Sequence, residues 1–199
     1  MKEKTKQEKI ELILKILIVV IAFAVYFTWS CSQTYNSAPD EYMKYDICKY
    51  IVQNGNLPHG GDETIRNPIW GISYGFTPIF AYIISAIFMR IVMLFTTNEF
   101  AIVVAARFTS VLFSTLTVVM LFKISEKIFK GVFKYLFVIL IAFLPQFAFL
   151  GSYINNDSMA LFSISFIIYS WIIGIENKWN IKSCIMLGVG VRNMCTFIL

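Results

Sequence analysis

AIVVAARFTSVLFSTLTVVMLF, residues 101–122, followed by KISEKIFKGVFK, residues 123–134, is the stretch on which the fold turns. The first part holds one charged residue, Arg107. As a helix rising about 1.5 Å per residue it spans roughly 30 Å, the thickness of a bilayer's hydrocarbon core. The second part carries four lysines and one glutamate, which marks a loop that stays in the cytoplasm. An apolar run, residues 132–153, then leads back across.

Working outward, further apolar runs occupy residues 12–29, 158–175 and 184–199. Residues 1–9 hold four lysines, so the N-terminus stays cytoplasmic and the first helix runs outward. The first run is long for a secretory signal. Thr28-Trp29-Ser30-Cys31 lacks the Leu that a lipoprotein cleavage site places three residues before its Cys, so an uncleaved helix is expected. A sixth run, residues 77–95, contains Arg90. If it crossed, the lysine-rich 123–134 loop would be outside; if it does not, every basic loop is inside. Arg90 at mid-bilayer would also cost about 2.5–3.5 kcal/mol. This segment, with Pro78 at its start, is therefore expected to lie on the outer face as an interfacial helix.

The composition agrees. Of 199 residues, 58% are hydrophobic and 15% charged, against roughly one-quarter charged in soluble domains. The net charge of +5 is strung between apolar runs rather than gathered into a patch, so nucleic acid is not an expected partner; the bilayer is. The fold expected is all-α, a polytopic transmembrane helical bundle forming one domain over residues 1–199. Amphipathic interfacial helices are expected in a long first extracytoplasmic loop, residues 30–100. The protein belongs in the cell membrane, multi-pass.

Two polar segments then meet at the outer surface: the first loop and the turn Ile154-Asn155-Asn156-Asp157. In the loop, Ser37-Ala38-Pro39-Asp40-Glu41 reads as a helix start, with Ser37 as cap and the two acids at the positive end of the dipole. That helix should stop at Gly55, and Met43, Ile47 and Ile51 form a stripe that can lie on the membrane. Asp40 and Glu41 either complement the dipole or, with Asp157, form a pair of acidic sites for proton abstraction or for holding a phosphate through a divalent metal. Asp157 has a second reading as the cap of the helix at Ser158. Arg107 either snorkels to the surface or meets a lipid phosphate. Cys31 and Cys48 form a bridge or stay two thiols. His59 reads as a loop residue, and Trp70, Tyr74 and Tyr82 as an interfacial aromatic belt. No Gly-rich phosphate loop, nucleophile elbow or zinc motif is present.

The order of motifs resembles a known family. Ala38-Pro39-Asp40-Glu41, Gly55-Asn56-Leu57-Pro58, Tyr74-Gly75-Phe76-Thr77-Pro78, Ala106-Arg107-Phe108-Thr109-Ser110, Leu144-Pro145-Gln146-Phe147 and Asn155-Asn156-Asp157 follow one another as in the GT-C superfamily. The branch is that of protein O-mannosyltransferases and the aminoarabinose transferase of lipid A. The resemblance implies a membrane glycosyltransferase that moves a sugar from a polyprenyl-phosphate donor to an extracytoplasmic acceptor. It implies Asp40 as catalytic base, Glu41 as its companion and Asp157 as the second acidic site, and it matches Arg107, the candidate for the substrate phosphate, to an arginine near the start of the family's second span. No cofactor is implied beyond a divalent metal, which the residues leave open. Family members carry many more spans, and the run at residues 184–199 is short, holds Arg192 and Asn193 and ends on apolar Leu199. The expectation is thus the front piece of a longer enzyme, truncated or frameshifted from near Gly190 and inactive by itself. The competing classes are a transporter or flippase, which would place charges at mid-membrane in repeated halves, and a non-catalytic membrane subunit.

Overall fold

A computed structural model describes residues 6–59, 62–69, 71–76 and 79–195. Among them every regular element is helical: α1 (Lys6–Ser32), α2 (Glu41–Asn54), α3 (Phe80–Met93), α4 (Glu99–Ile128), α5 (Phe133–Ala142), α6 (Pro145–Leu150), α7 (Asp157–Glu176) and α8 (Ile181–Cys195), with single 3-10 turns at Glu63–Ile65 and Tyr74–Phe76. Three of these helices, α1, α4 and α7, are long and apolar enough to cross a membrane. Trp70, Pro78 and the last part of the expected 184–199 span lie outside the described residues.

α4 is the pillar. It packs against α1, α3, α5, α6 and α7. Ile18, Ala22 and Tyr26 of α1 close on Val111, Val118, Leu121 and Phe122 of α4 and on Val138 and Ala142 of α5. Helix directions follow from the ion pairs. Lys15 of α1 meets Glu126 near the end of α4, Lys134 of α5 meets Glu11 of α1 at 2.6 Å, and Lys127 of α4 meets Glu176 of α7 at 2.6 Å. So α1 runs against α4, and the start of α1, the end of α4, the start of α5 and the end of α7 share one end of the bundle. The lysine-rich 123–134 loop is at that end, and the 30–59 loop is at the other.

Helices outlast their apolar runs. α4 starts at Glu99 because Asn98 caps it, its side-chain oxygen accepting from Phe100 N–H (2.9 Å) and Ala101 N–H (3.4 Å). The single helix expected over residues 132–153 is broken. Pro145 has no N–H and forces Leu144 to an extended ψ of 124°, so α5 ends and α6 begins with the proline in its first turn. Buried Tyr26 donates its hydroxyl to the carbonyl of Ala142 at 2.7 Å, satisfying one acceptor left at the end of α5.

α3 has 14 residues, about 21 Å of helix, too short to cross by itself. It lies along the first half of α4, where Ser85 Oγ donates to the carbonyl of Ala106 at 2.9 Å, and Arg90 is exposed. The apolar stripe of α2 does not face outward as expected. Met43 is buried, and Ile47 and Cys48 pack with Tyr82 and Met89 of α3, Ile102 and Ala106 of α4 and Ile154 in a second core. Tyr82 is therefore an interior residue rather than part of a surface belt. Cys31 and Cys48 are free thiols.

Candidate functional site

The residues singled out by sequence fall into two groups, one buried and one exposed. Glu41 and Arg107 are both fully buried. Arg107 donates through Nε to Glu41 Oε1 (2.7 Å) and through Nη2 to Glu41 Oε2 (2.9 Å) and the carbonyl of Thr34 (3.1 Å). Its Nη1 donates to the carbonyls of Ser30 (2.7 Å) and Gln33 (2.8 Å). These are the last carbonyls of α1 and the residues just after it, which have no helical partners of their own. A guanidinium has five donors, and all five are engaged. Arg107 therefore neither snorkels nor has a donor left for a lipid phosphate; it fastens the end of α1 to α4.

Glu41 is likewise separated from Asp40 in role. Besides Arg107 it accepts from Asn36 N–H (3.0 Å) and Ile154 N–H (3.3 Å). The expected pair of neighbouring catalytic acids thus divides, with Glu41 turned inward and Asp40 outward. The inward acid positions the outward one. Glu41 follows Asp40 directly, and the Ile154 amide it holds lies three residues before Asp157. One buried carboxylate so brings together two loops far apart in sequence.

Asp40 sits at the N-cap of α2 with left-handed φ of 54°, and its side chain makes no capping bond. Ser37, the expected cap, donates instead to the carbonyl of Thr34. Asp can occupy this region, at some cost in strain. The exposed Asp40 carboxylate accepts from the Tyr74 hydroxyl at 2.8 Å, which raises the Tyr74 phenol above its ordinary range, with burial and the charges of Asp40 and Asp157 adding to the effect. Asp157 is the exposed first residue of α7. It does not cap that helix: Asn155 Oδ1 accepts from Ser158 N–H (2.9 Å), while its amide nitrogen donates to the carbonyls of Leu150 and Tyr153. Asn155 thus holds the turn and leaves the Asp157 carboxylate outside.

Between these acids lies Lys44, which the sequence reading passed over. Its position four residues after Asp40, on the same helical face, was the available signal. Lys44 is buried. Its ammonium donates to the carbonyl of Pro39 at 3.1 Å and lies 5.4 Å from the centre of the Tyr74 ring and 5.2 Å from that of Tyr153, within cation–π range. Burial pulls its pKa below the usual lysine range, opposed by Asp157, then Asp40, then Glu41. Asp157, Glu41 and Asp40 also act electrostatically on Tyr153.

The cluster is therefore two solvent-facing carboxylates around one buried ammonium and two phenols. Among the described residues no three His, Cys, Asp or Glu side chains gather as metal ligands, and the cation beside these acids is the chain's own lysine. His59, the only histidine, pairs with Asp62 beside it. Compared with protein-family models, curated proteins and solved structures, the chain matches none.

Proposed function

We propose that the chain is a membrane-embedded transferase of GT-C type, moving a sugar from a polyprenyl phosphate to an acceptor hydroxyl at the outer surface. α1, α4, the α5–α6 pair and α7 cross the bilayer with the lysine-rich end in the cytoplasm, and α2 and α3 form a cap at the outer interface. The observation that carries the reading is Asp40. Its carboxylate is turned off its own helix and onto Tyr74, and it shares Lys44 and Tyr74 with Asp157. A carboxylate that only complemented a dipole would need no such strained backbone.

In this reading Asp40 accepts the proton of the acceptor hydroxyl, and the hydroxyl oxygen attacks the anomeric carbon. The bond from that carbon to the phosphate oxygen breaks, and its electron pair leaves on the polyprenyl phosphate, with inversion. Tyr74 orients Asp40. Lys44 supplies positive charge near the departing phosphate, and Asp157 fixes the acceptor.

The test is Asp40→Asn in the longest reading frame that contains these residues, reconstituted with a radiolabelled polyprenyl-phosphate sugar. Transfer should fall at least about a hundredfold with membrane insertion unchanged; wild-type transfer would overturn the assignment.

A further inference from the structure

α2 carries a second polar face, distinct from that of Lys44. Tyr45, Asp46 and Lys49 on this face line a cavity of about 620 Å³ together with Glu99 and Phe100 at the start of α4, Tyr35 and Arg107. The Tyr35 and Tyr45 rings meet edge to face, centres 5.5 Å apart. Asp46 is half-buried and makes no hydrogen bond or ion pair to any described residue. Its carboxylate is partly out of water without a donor among the described residues, and it opens on this cavity, where a ligand's donors can reach it.

The sign of that ligand follows from the charges around the cavity. Burial raises the Asp46 carboxyl above its ordinary range, and Lys49, exposed and one turn along α2, opposes the rise without making contact. Tyr45 is raised by burial and then by Glu99, Cys48 and Asp46. Tyr35 is pushed up to about 12 by burial and then by Asp46, Tyr45 and Glu41, with Arg107 opposing. Arg107 has spent all five donors on Glu41 and the end of α1, so it offers nothing to an anion. Besides Arg107, the charged side chains among the described residues lining the cavity are two carboxylates, Asp46 and Glu99, and one lysine, Lys49, with the Tyr35 and Tyr45 rings beside them.

We propose that this cavity binds the ammonium group of an amine, its N–H groups donating to Asp46, its charge lying against the Tyr35 and Tyr45 rings, and Glu99 supplying the second carboxylate. Aromatic faces and carboxylates together are the environment that holds ammonium in proteins. The amine comes from a phosphatidylethanolamine headgroup or from a small soluble molecule. This assignment stands apart from the transferase reading, since Asp46 lies on another face of α2 from Lys44.

The full chain in dodecyl maltoside, which contains no amine, is titrated with ethanolamine against sodium chloride of equal ionic strength, and separately with phosphatidylethanolamine or phosphatidylglycerol in mixed micelles. The unfolding midpoint is the readout. Ethanolamine should raise it saturably if the ligand is soluble; if the ligand is a lipid, only phosphatidylethanolamine should raise it. In either case Asp46→Asn weakens the apparent affinity about tenfold, Glu99→Gln weakens it less, and Lys49→Met strengthens it by removing a competing cation. The absence of any saturable rise overturns the proposal, as does a rise that survives Asp46→Asn unchanged.

Discussion

Glu41 and Arg107 are 66 residues apart in sequence, and nothing local in either segment announces that they meet. Read alone, each is a polar residue near a membrane surface, which is why both looked like site residues. A buried pair with every donor engaged has a different energetic signature from a catalytic pair. Removing one partner strands the other as an uncompensated charge, at about 3–5 kcal/mol, whereas removing both strands no charge. Glu41→Leu and Arg107→Met should each destabilise the chain by that order. The double variant Glu41→Leu with Arg107→Met should lose much less than the sum of the two, a coupling that denaturant unfolding in micelles measures. Strict additivity would show that the two side chains act separately. Lys44 makes the opposite point: spacing from Asp40 placed it on the right face, and the reading overlooked it because a lysine on a loop helix looks like ordinary solvation.

The apolar runs located every long helix and the ends of α7 to within one residue, but not the ends of α1 or α4. Hydropathy reports the part of a helix that suits lipid, whereas hydrogen bonding continues into water until a cap intervenes. α4 accordingly runs past its apolar segment to Asn98 at one end and Ile128 at the other. The break between α5 and α6 was legible in Pro145, yet the apolar run hid it because both halves are equally hydrophobic. The break leaves the Ala142 carbonyl to Tyr26, and this links the two features. Tyr26→Phe should cost about 1–3 kcal/mol, the penalty of a buried acceptor left unsatisfied. With Pro145→Ala as background, which allows the helix to continue and reclaim that carbonyl, the same substitution should cost measurably less. Equal costs in the two backgrounds, measured by tryptophan fluorescence during unfolding in mixed micelles, would mean the hydroxyl does not serve the break.

Over the whole molecule the two ends differ in kind. One gathers Lys123, Lys127, Lys130 and Lys134, with Glu176 paired to Lys127 and Glu11 to Lys134. The other holds Asp40, Asp157 and the cavity beside Asp46, above a band where α1 alone exposes Ile10, Ile13, Ile16, Leu17, Val20 and Ile21. In the proposed reading a bilayer surrounds that band and the lysines set its orientation, because basic loops resist translocation while acidic ones contribute little. A cysteine-free background carrying one new thiol at a time makes this measurable in intact cells. Asn56→Cys, exposed in the first loop, should react with a membrane-impermeant maleimide from outside. Lys130→Cys, exposed between α4 and α5, should react only after permeabilisation. Reaction of both from the same side would put an odd number of crossings between them in error, and α3 would then have to span despite its 14 residues. That outcome would carry Lys123, Lys127 and Lys130 outside and separate Asp40 from Asp157 by a bilayer. The shared hold of Glu41 on Arg107 and on the Ile154 amide argues against it, since one buried carboxylate cannot reach both faces of a membrane.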